Sequence, residues 1–320
     1  MKIDLHIHTI WSDGEITPQE VALWYSPMTA YAITDHNSLA GVLNLVEKKC
    51  LLPKNLLPGF ETRLRGCPDY LLYFPRASVE QLREIESECY QLRSAADQVA
   101  QYVYEKKFGF NDFEKEREAV CRSLNRPEFL CTSLELGVML NRKGLVSETK
   151  SSELARRATG QVMDETSKGS VPELFHAVKT VAPHDFDPQW LTKFIRRHNA
   201  EVALAHPLKE AVRKRKTKIS ECKEIEEILE KFFDEFEKSV ENGAVEMPAH
   251  TDEWIQKHFD ASLCELVAIV EKVAARRSLS VVVGSDMHIL GTMIELADIS
   301  AFRFPNWLNG WIEQQSRKNS

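Results

Sequence analysis

Apolar residues in this chain follow two rhythms. Short runs rich in Val, Ile, Leu and Tyr end on a histidine or a carboxylate: Asp4-Leu5-His6-Ile7-His8, Tyr31-Ala32-Ile33-Thr34 leading to Asp35-His36, Leu57 to Glu61, Asp69 to Phe74, Ala200 to His206, and Val281 to His288. Runs of that length and composition predict strands. Between them the spacing switches to three and four residues. Thr17-Pro18-Gln19-Glu20 has the form of a capped start, with proline in the first turn, of a helix running to about Tyr25, and Leu39 to Cys50 predicts a second. Strand, helix, strand, helix is the order of a parallel sheet in an α/β fold.

From Ser78 to about Phe186 the pattern turns helical. Ser78-Val79-Glu80-Gln81 is a capping box, and Leu82, Ile85, Cys89, Leu92, Ala96, Val99 and Val103 keep helical spacing after it. Further helical patterns cover 113–124, 129–141 and 152–165, so the stretch reads as an insertion. This divides the chain into a discontinuous domain, 1–77 with 187–320, and a helical unit, 78–186. Past the insertion, Pro183-His184-Asp185-Phe186-Asp187-Pro188 forms a loop before a helix at 189–197. Helices are also expected over 221–241, which is acidic, and 254–276. Trp307 and Trp311, four residues apart, predict a helix face turned to the core.

Composition narrows the classes. With 320 residues and 43% hydrophobic content the chain can bury a sizeable core. Its seven cysteines form no C-x-x-C pair, so neither a disulfide framework nor a thiolate zinc knuckle is indicated, which favours a reducing, cytoplasmic setting. No basic-then-apolar leader opens the sequence and no apolar run approaches a membrane span. The net charge of −7 leaves no global footprint for nucleic acid. The local run Arg213-Lys214-Arg215-Lys216-Thr217-Lys218 is basic, and a solvated charged face is the plainer reading of it.

The strand ends carry the candidate chemistry. Alternate residues of a strand share a face, so His6 and His8 project together. Asp13, in a Ser-Asp-Gly turn, can fold back towards them, and the second strand delivers Asp35 and His36. Neutral imidazole with carboxylate is the ligand set of Zn, Mn and Fe sites. Glu61 closes a third strand where a carboxylate can bridge two ions.

These residues resemble the PHP (polymerase and histidinol phosphatase) domain superfamily. D-L-H-x-H-T-x-x-S-D-G, A-I-T-D-H-N, the G-x-E ending at Glu61, Ala205-His206-Pro207 and Gly284-Ser285-Asp286-Met287-His288 follow the family's order. The resemblance implies a distorted (β/α)7 barrel with an inserted helical subdomain. It implies two or three divalent metal ions (Mn, Zn or Fe) held by His6, His8, Asp13, His36, Glu61, His206, Asp286 and His288. Asp69 stands where the family has a histidine and, as a harder donor, would shift preference towards Mn or Fe. In a branch with a similar insertion, a Gly-Arg-Pro-His segment holds substrate phosphate. Here it reads Asn125-Arg126-Pro127-Glu128, so Arg126 is the expected phosphate clamp and Glu128 departs from the pattern.

The activity so implied is phosphate ester hydrolysis by a metal-activated water, with His206 or His288 protonating the leaving group and Asp35 orienting His36. A nucleotide, or the phosphorylated 5′ end of a nucleic acid, is the expected substrate. A histidinol-phosphate-like metabolite phosphatase, an amide or ester hydrolase and a non-catalytic scaffold are the alternatives. Protein partners are not indicated by the sequence.

Overall fold

The structure is a computed structural model that describes residues 2–49, 52–63, 69–131, 133–144, 188–212, 218–241, 243–247, 252–288 and 303–317. Seven strands form one sheet in sequence order: β1 (Ile3–Asp4), β2 (Ala30–Ile33), β3 (Leu56–Arg63), β4 (Asp69–Tyr73), β5 (Glu201–Leu204), β6 (Ala244–Met247) and β7 (Ser280–Val283). Neighbours are parallel except around β4, which runs antiparallel to both β3 and β5. The sheet curls until its ends meet. Leu5 N–H donates to the Val283 carbonyl at 2.8 Å and Ile7 bridges Met287, which makes the distorted (β/α)7 barrel expected from the motifs. One reversed strand distorts the barrel: β4 lies antiparallel beside β3, where a regular barrel would have a parallel neighbour.

Strand burial explains the run-like rather than alternating sequence pattern. β2, β4 and β6 are buried at every position, because side chains of one face fill the barrel and those of the other lie under helices. The covering helices are α1 (Pro18–Trp24), α2 (Ala40–Lys49), α3 (Val79–Tyr102), α6 (Pro188–His198), α7 (Pro207–Val212), α8 (Cys222–Ser239), α9 (Asp252–His258), α10 (Leu263–Arg276) and α11 (Asn306–Arg317), with α4 (Phe113–Ser123) and α5 (Ser133–Arg142) in the inserted unit. α1 starts at the expected place, its Thr17–Glu20 capping box complete. Trp311 is buried and Trp307 packs on Tyr73 with ring centroids 5.5 Å apart, as their spacing predicts.

The expected helix over 254–276 is two helices. α9 ends at His258, where Ile219 bridges Phe259 and donates its N–H to the His258 carbonyl at 2.9 Å, and Ser262 then caps α10 with its own box to Glu265. The acidic helix α8 pairs along its length with α10: Lys272 to Glu226 at 2.6 Å, Arg277 to Glu230 at 2.7 Å. Residues 213–217 of the basic run, the loop at 183–187 and the helix expected over 152–165 lie outside the described residues.

α3 belongs to two cores. Leu82, Ile85 and Cys89 pack into the barrel cluster, whereas Ala100 and, one turn on, Val103 and Tyr104 join a separate cluster with Phe113, Val120, Leu136, Met139 and Leu140. The helical unit therefore has a core of its own, while the helix that opens it is anchored in the barrel. Asp97 ties that unit together, accepting from Arg117 at 2.6 Å and from the Cys131 backbone at 2.7 Å. None of the described helices is long and apolar enough to cross a membrane.

Candidate metal centre

Five of the seven strands send ligand-type residues to one end of the barrel. Where β1 runs out, His6 and His8 face inward, and Leu5 and Ile7 lie in the apolar core. Three groups of side chains converge there: His8, Asp13, His36 and His288; His6, Glu61 and His206; His6, His8 and Asp286. All eight positions carried over from the family motifs are in these groups.

Glu61 stands at the join. Its Oε1 lies 2.9 Å from His206 Nε2, and its Oε2 lies 3.3 Å from His6 Nε2, 3.2 Å from His8 Nε2 and 3.2 Å from His36 Nδ1. One oxygen thus faces one group and the second faces the others, the disposition of a bridging carboxylate. On the outer side, Asp13 Oδ2 is 3.2 Å from His288 Nε2 and 3.5 Å from His36 Nε2, and Asp13 Oδ1 is 3.4 Å from His8 Nδ1. Asp286 Oδ1 is 3.3 Å from His8 Nε2 and 3.5 Å from His6 Nε2.

Backbone strain marks two of these positions. His206 (φ 26°) and Asp286 (φ 51°) are left-handed, a conformation that costs non-glycine residues about 1 kcal/mol or more and is held by surrounding contacts. For His206 that contact is visible: its N–H donates to Glu246 Oε2 at 2.6 Å. Glu246 Oε1 accepts from His6 Nδ1 at 2.8 Å. This orients the ring, because an imidazole that donates from Nδ1 to Glu246 turns Nε2 towards Glu61, His8 and Asp286.

The electrostatics of the cluster set carboxylates against imidazoles. Burial alone pushes Asp13, Glu61 and Asp286 towards the neutral form, yet the histidines and Lys209 around them hold all three well below the ordinary carboxylate range. Burial likewise opposes charge on His6, and Glu246, Glu61 and Asp286 outweigh it, so its pKa lies well above the usual imidazole value. His288 is raised to about 8, burial being overcome by Asp13. Ionised carboxylates packed with imidazoles at a largely buried barrel end need positive charge. A divalent ion meets that need with direct bonds to both donor types. His6 Nε2 and His8 Nε2 approach to 3.0 Å, and Asp13 Oδ1 and His206 Nδ1 are buried without a hydrogen-bond partner, which fits donors aimed at ions.

Three expectations change. Asp35 does not orient His36: its carboxylate accepts from Thr9 N–H at 2.6 Å, Thr9 Oγ1 at 2.7 Å and Ser12 Oγ at 2.7 Å, so it shapes the loop that carries Asp13. Arg126 is not poised as a free clamp. Its Nε meets Glu135 at 3.2 Å and its Nη1 donates to the Gly14 carbonyl at 3.0 Å. Asp69 opens β4 and is buried, its carbonyl taking Ala205 N–H at 2.9 Å, but its side chain lies outside the three convergent groups.

Two residues of the centre escaped the sequence reading. Glu246 sits in Gly243-Ala-Val-Glu-Met-Pro248, a short apolar run between helix signals whose carboxylate precedes the strand end, the same signature as at Glu61. Lys209, on the first turn of α7 after His206-Pro207, places its ammonium against Asp286 Oδ2.

Comparison of the chain with protein-family models and with curated proteins finds no match. Solved structures do match. One is a candidate metal-dependent phosphoesterase from Bifidobacterium adolescentis, with a TM-score of 0.59 and 18% identity, covering 98% of this chain and 96% of that one. Another is an amidohydrolase from Chromobacterium violaceum, solved with sulfate bound and without metal, with a TM-score of 0.60 and 18% identity over 98% of this chain and 97% of its own. At this identity the likeness is one of fold.

Proposed function

We propose that this protein is a metal-dependent phosphoesterase of PHP type that hydrolyses phosphate esters of nucleotides or of 5′-phosphorylated nucleic acid. The observation that carries the reading is the convergence of three donor groups on Glu61 at one barrel end. Neighbouring sites that share a bridging carboxylate suit in-line displacement at phosphorus, where both the attacking and the leaving oxygen need stabilising.

His8, Asp13 and His36 would hold one ion, and His6, Glu61, His206 and Asp286 the rest; Mn, Zn and Fe all suit this mixture. When bound, such ions make water nucleophilic near neutral pH and offset charge on the phosphoryl oxygens. Of the two histidines considered for proton delivery, His288 is the more open, its side chain 32% exposed against 6% for His206. Its Nδ1 donates to the Asp286 carbonyl at 2.8 Å and its Nε2 lies 3.2 Å from Asp13 Oδ2, so a proton delivered from Nε2 to the leaving oxygen would come out of that pairing. We assign Lys209 to the substrate phosphate, since it is a partly exposed cation at the rim whose present partner, Asp286, is itself a donor for metal. The insertion flanking the Asp13 loop supports a substrate larger than a small metabolite.

An amide or ester hydrolase is the second reading, because a protein described as an amidohydrolase shares the fold and the same donor set activates water for acyl transfer. The test is elemental analysis of protein purified without chelator, combined with hydrolysis of an aryl phosphate, a 5′-phosphorylated oligonucleotide and an aryl amide by wild type and His8→Ala. Two or three metals per chain and phosphate release abolished by the substitution are expected. Amide turnover without phosphate release would replace the phosphoesterase by the second reading, and protein that stays empty of metal and inactive would remove both.

A further inference from the structure

The inserted helical unit reaches the metal centre through two arginines, and both end on backbone rather than on open space. Arg126, between α4 and α5, donates from Nη1 to the carbonyls of Gly14 (3.0 Å) and, at longer range, Ile10 (3.4 Å). These flank the turn that carries Asp13. Arg93, on α3, donates from Nη1 to the carbonyl of Asn37 at 2.6 Å, the residue after His36. Both side chains are nearly buried, 8% exposed for Arg126 and 6% for Arg93.

Each guanidinium has its charge met locally. Glu135 balances Arg126, while Glu86 (2.6 Å) and Glu128 (3.0 Å) flank Arg93. A neutralised, buried guanidinium whose donors are taken by carbonyl oxygens offers a phosphate little, but it fixes the loop it holds. Glu128, the departure from the family's Arg-Pro-His pattern, thereby finds a role as the partner that seats Arg93.

The loops held in this way need holding. Asn37 is left-handed, with φ 47°, and is pinned on its other side by Thr62 Oγ1 at 2.6 Å from Asn37 Oδ1 and by its own N–H on the Glu61 carbonyl at 2.8 Å. The Asp13 turn is grasped by Asp35 from within the barrel and by Arg126 from the insertion. Gly14 packs so closely that a Cβ there would come within 2.5 Å of the His8 carbonyl oxygen. Asp13 and His36 belong to the same donor group, with His8 and His288, whereas neither arginine reaches the loop of His206.

We propose that Arg93 and Arg126 are positioning residues by which the helical insertion sets the geometry of the Asp13–His36 half of the metal centre. The proposal rests on the metal-site reading above and assigns the insertion a task in it beyond contact with substrate.

The test uses the full chain, stripped of metal and titrated with Mn²⁺, together with amide hydrogen exchange of the metal-free protein. In Arg126→Met and Arg93→Met, Mn²⁺ affinity of one class of site is expected to fall about 10–100-fold while the other class is retained. In the metal-free state exchange should quicken over 10–16 in the first variant and over 36–39 in the second. Arg126→Lys, which keeps the charge beside Glu135 but reaches only one carbonyl, should fall between wild type and Met, and serves if the Met variants do not fold. Arg277→Met, on the outer α8–α10 pair, should change neither readout. If wild type takes up no Mn²⁺, the metal reading falls and loop exchange alone decides the brace. Unchanged Mn²⁺ binding and exchange with a raised KM for a phosphate ester would make Arg126 a substrate contact and overturn the proposal, as would equal loss at both classes of site.

Discussion

Glu246 and His6 are joined by a hydrogen bond of 2.8 Å across the barrel, from the imidazole Nδ1 to Oε1, and the other oxygen of the same carboxylate takes the His206 backbone N–H at 2.6 Å. One buried carboxylate thus orients one candidate donor ring, His6, and holds the strained backbone of another, His206. Glutamine keeps the shape but offers a single acceptor oxygen and sets an NH₂ against one of the two donors. Glu246→Gln is expected to weaken metal binding about 10–100-fold with the fold intact, read by metal titration and circular dichroism. Binding within a factor of two of wild type would refute an orienting role.

Asp4 fastens the seam where the barrel closes. Its Oδ1 accepts from Ser285 N–H (2.9 Å) and its Oδ2 from Ser285 Oγ (2.7 Å) and Tyr25 Oη (2.8 Å). Asp4 Oδ1 also accepts from the His6 N–H at 3.3 Å, so removing this carboxylate withdraws an acceptor from four buried donors. Asp4→Ala should cost about 3 kcal/mol or more in urea unfolding, and a loss below about 1 kcal/mol would show that water replaces the carboxylate.

The fold was legible because its strands end on chemistry. His6, His8, Asp35, His36, Glu61, His206, Asp286 and His288 each follow a short apolar run, so the same signal located element and donor. What stayed hidden are relations between distant segments. Glu246 lies 240 residues from His6 in sequence, and no local rule links the two. Asp35 looked like a partner for its neighbour His36, but the adjacent residue on a strand end points elsewhere, and Thr9 and Ser12 claim it. Arg126 showed its identity in the motif and not its partners. A guanidinium reads as a phosphate clamp until the structure supplies the carbonyls that occupy it.

The proposed role of Lys209 in binding substrate phosphate can be tested apart from metal binding. Its ammonium is bonded to Asp286 and feels Glu61 and Glu246, yet its side chain remains 27% exposed. Lys209→Met should raise KM for a phosphate ester roughly tenfold or more, the worth of one charge-assisted hydrogen bond, and leave the metal content unchanged. Lost metal with an unchanged KM would instead mark Lys209 as a support for Asp286.

Metal removal should be felt in stability as well as in turnover. The cluster packs carboxylates and imidazoles at 2.9–3.5 Å inside the barrel end that β1, β2, β3, β5 and β7 share, so an ion bound there links those strands directly. A ligand that binds only the folded state at about 100 times its dissociation constant adds about 2.7 kcal/mol. For a chain of this size that is a rise in melting temperature on the order of 5 °C. Adding Mn²⁺ or Zn²⁺ to chelator-treated wild type should give that shift and restore hydrolysis. Asp13→Ala, which removes a donor from one half of the centre, should give a smaller shift without hydrolysis, because the Glu61–His206 half still binds. Equal shifts in wild type and in a variant lacking His6, His8 and Glu61 together would mean that the ions bind elsewhere, and the barrel-end cluster would lose its standing as the metal centre.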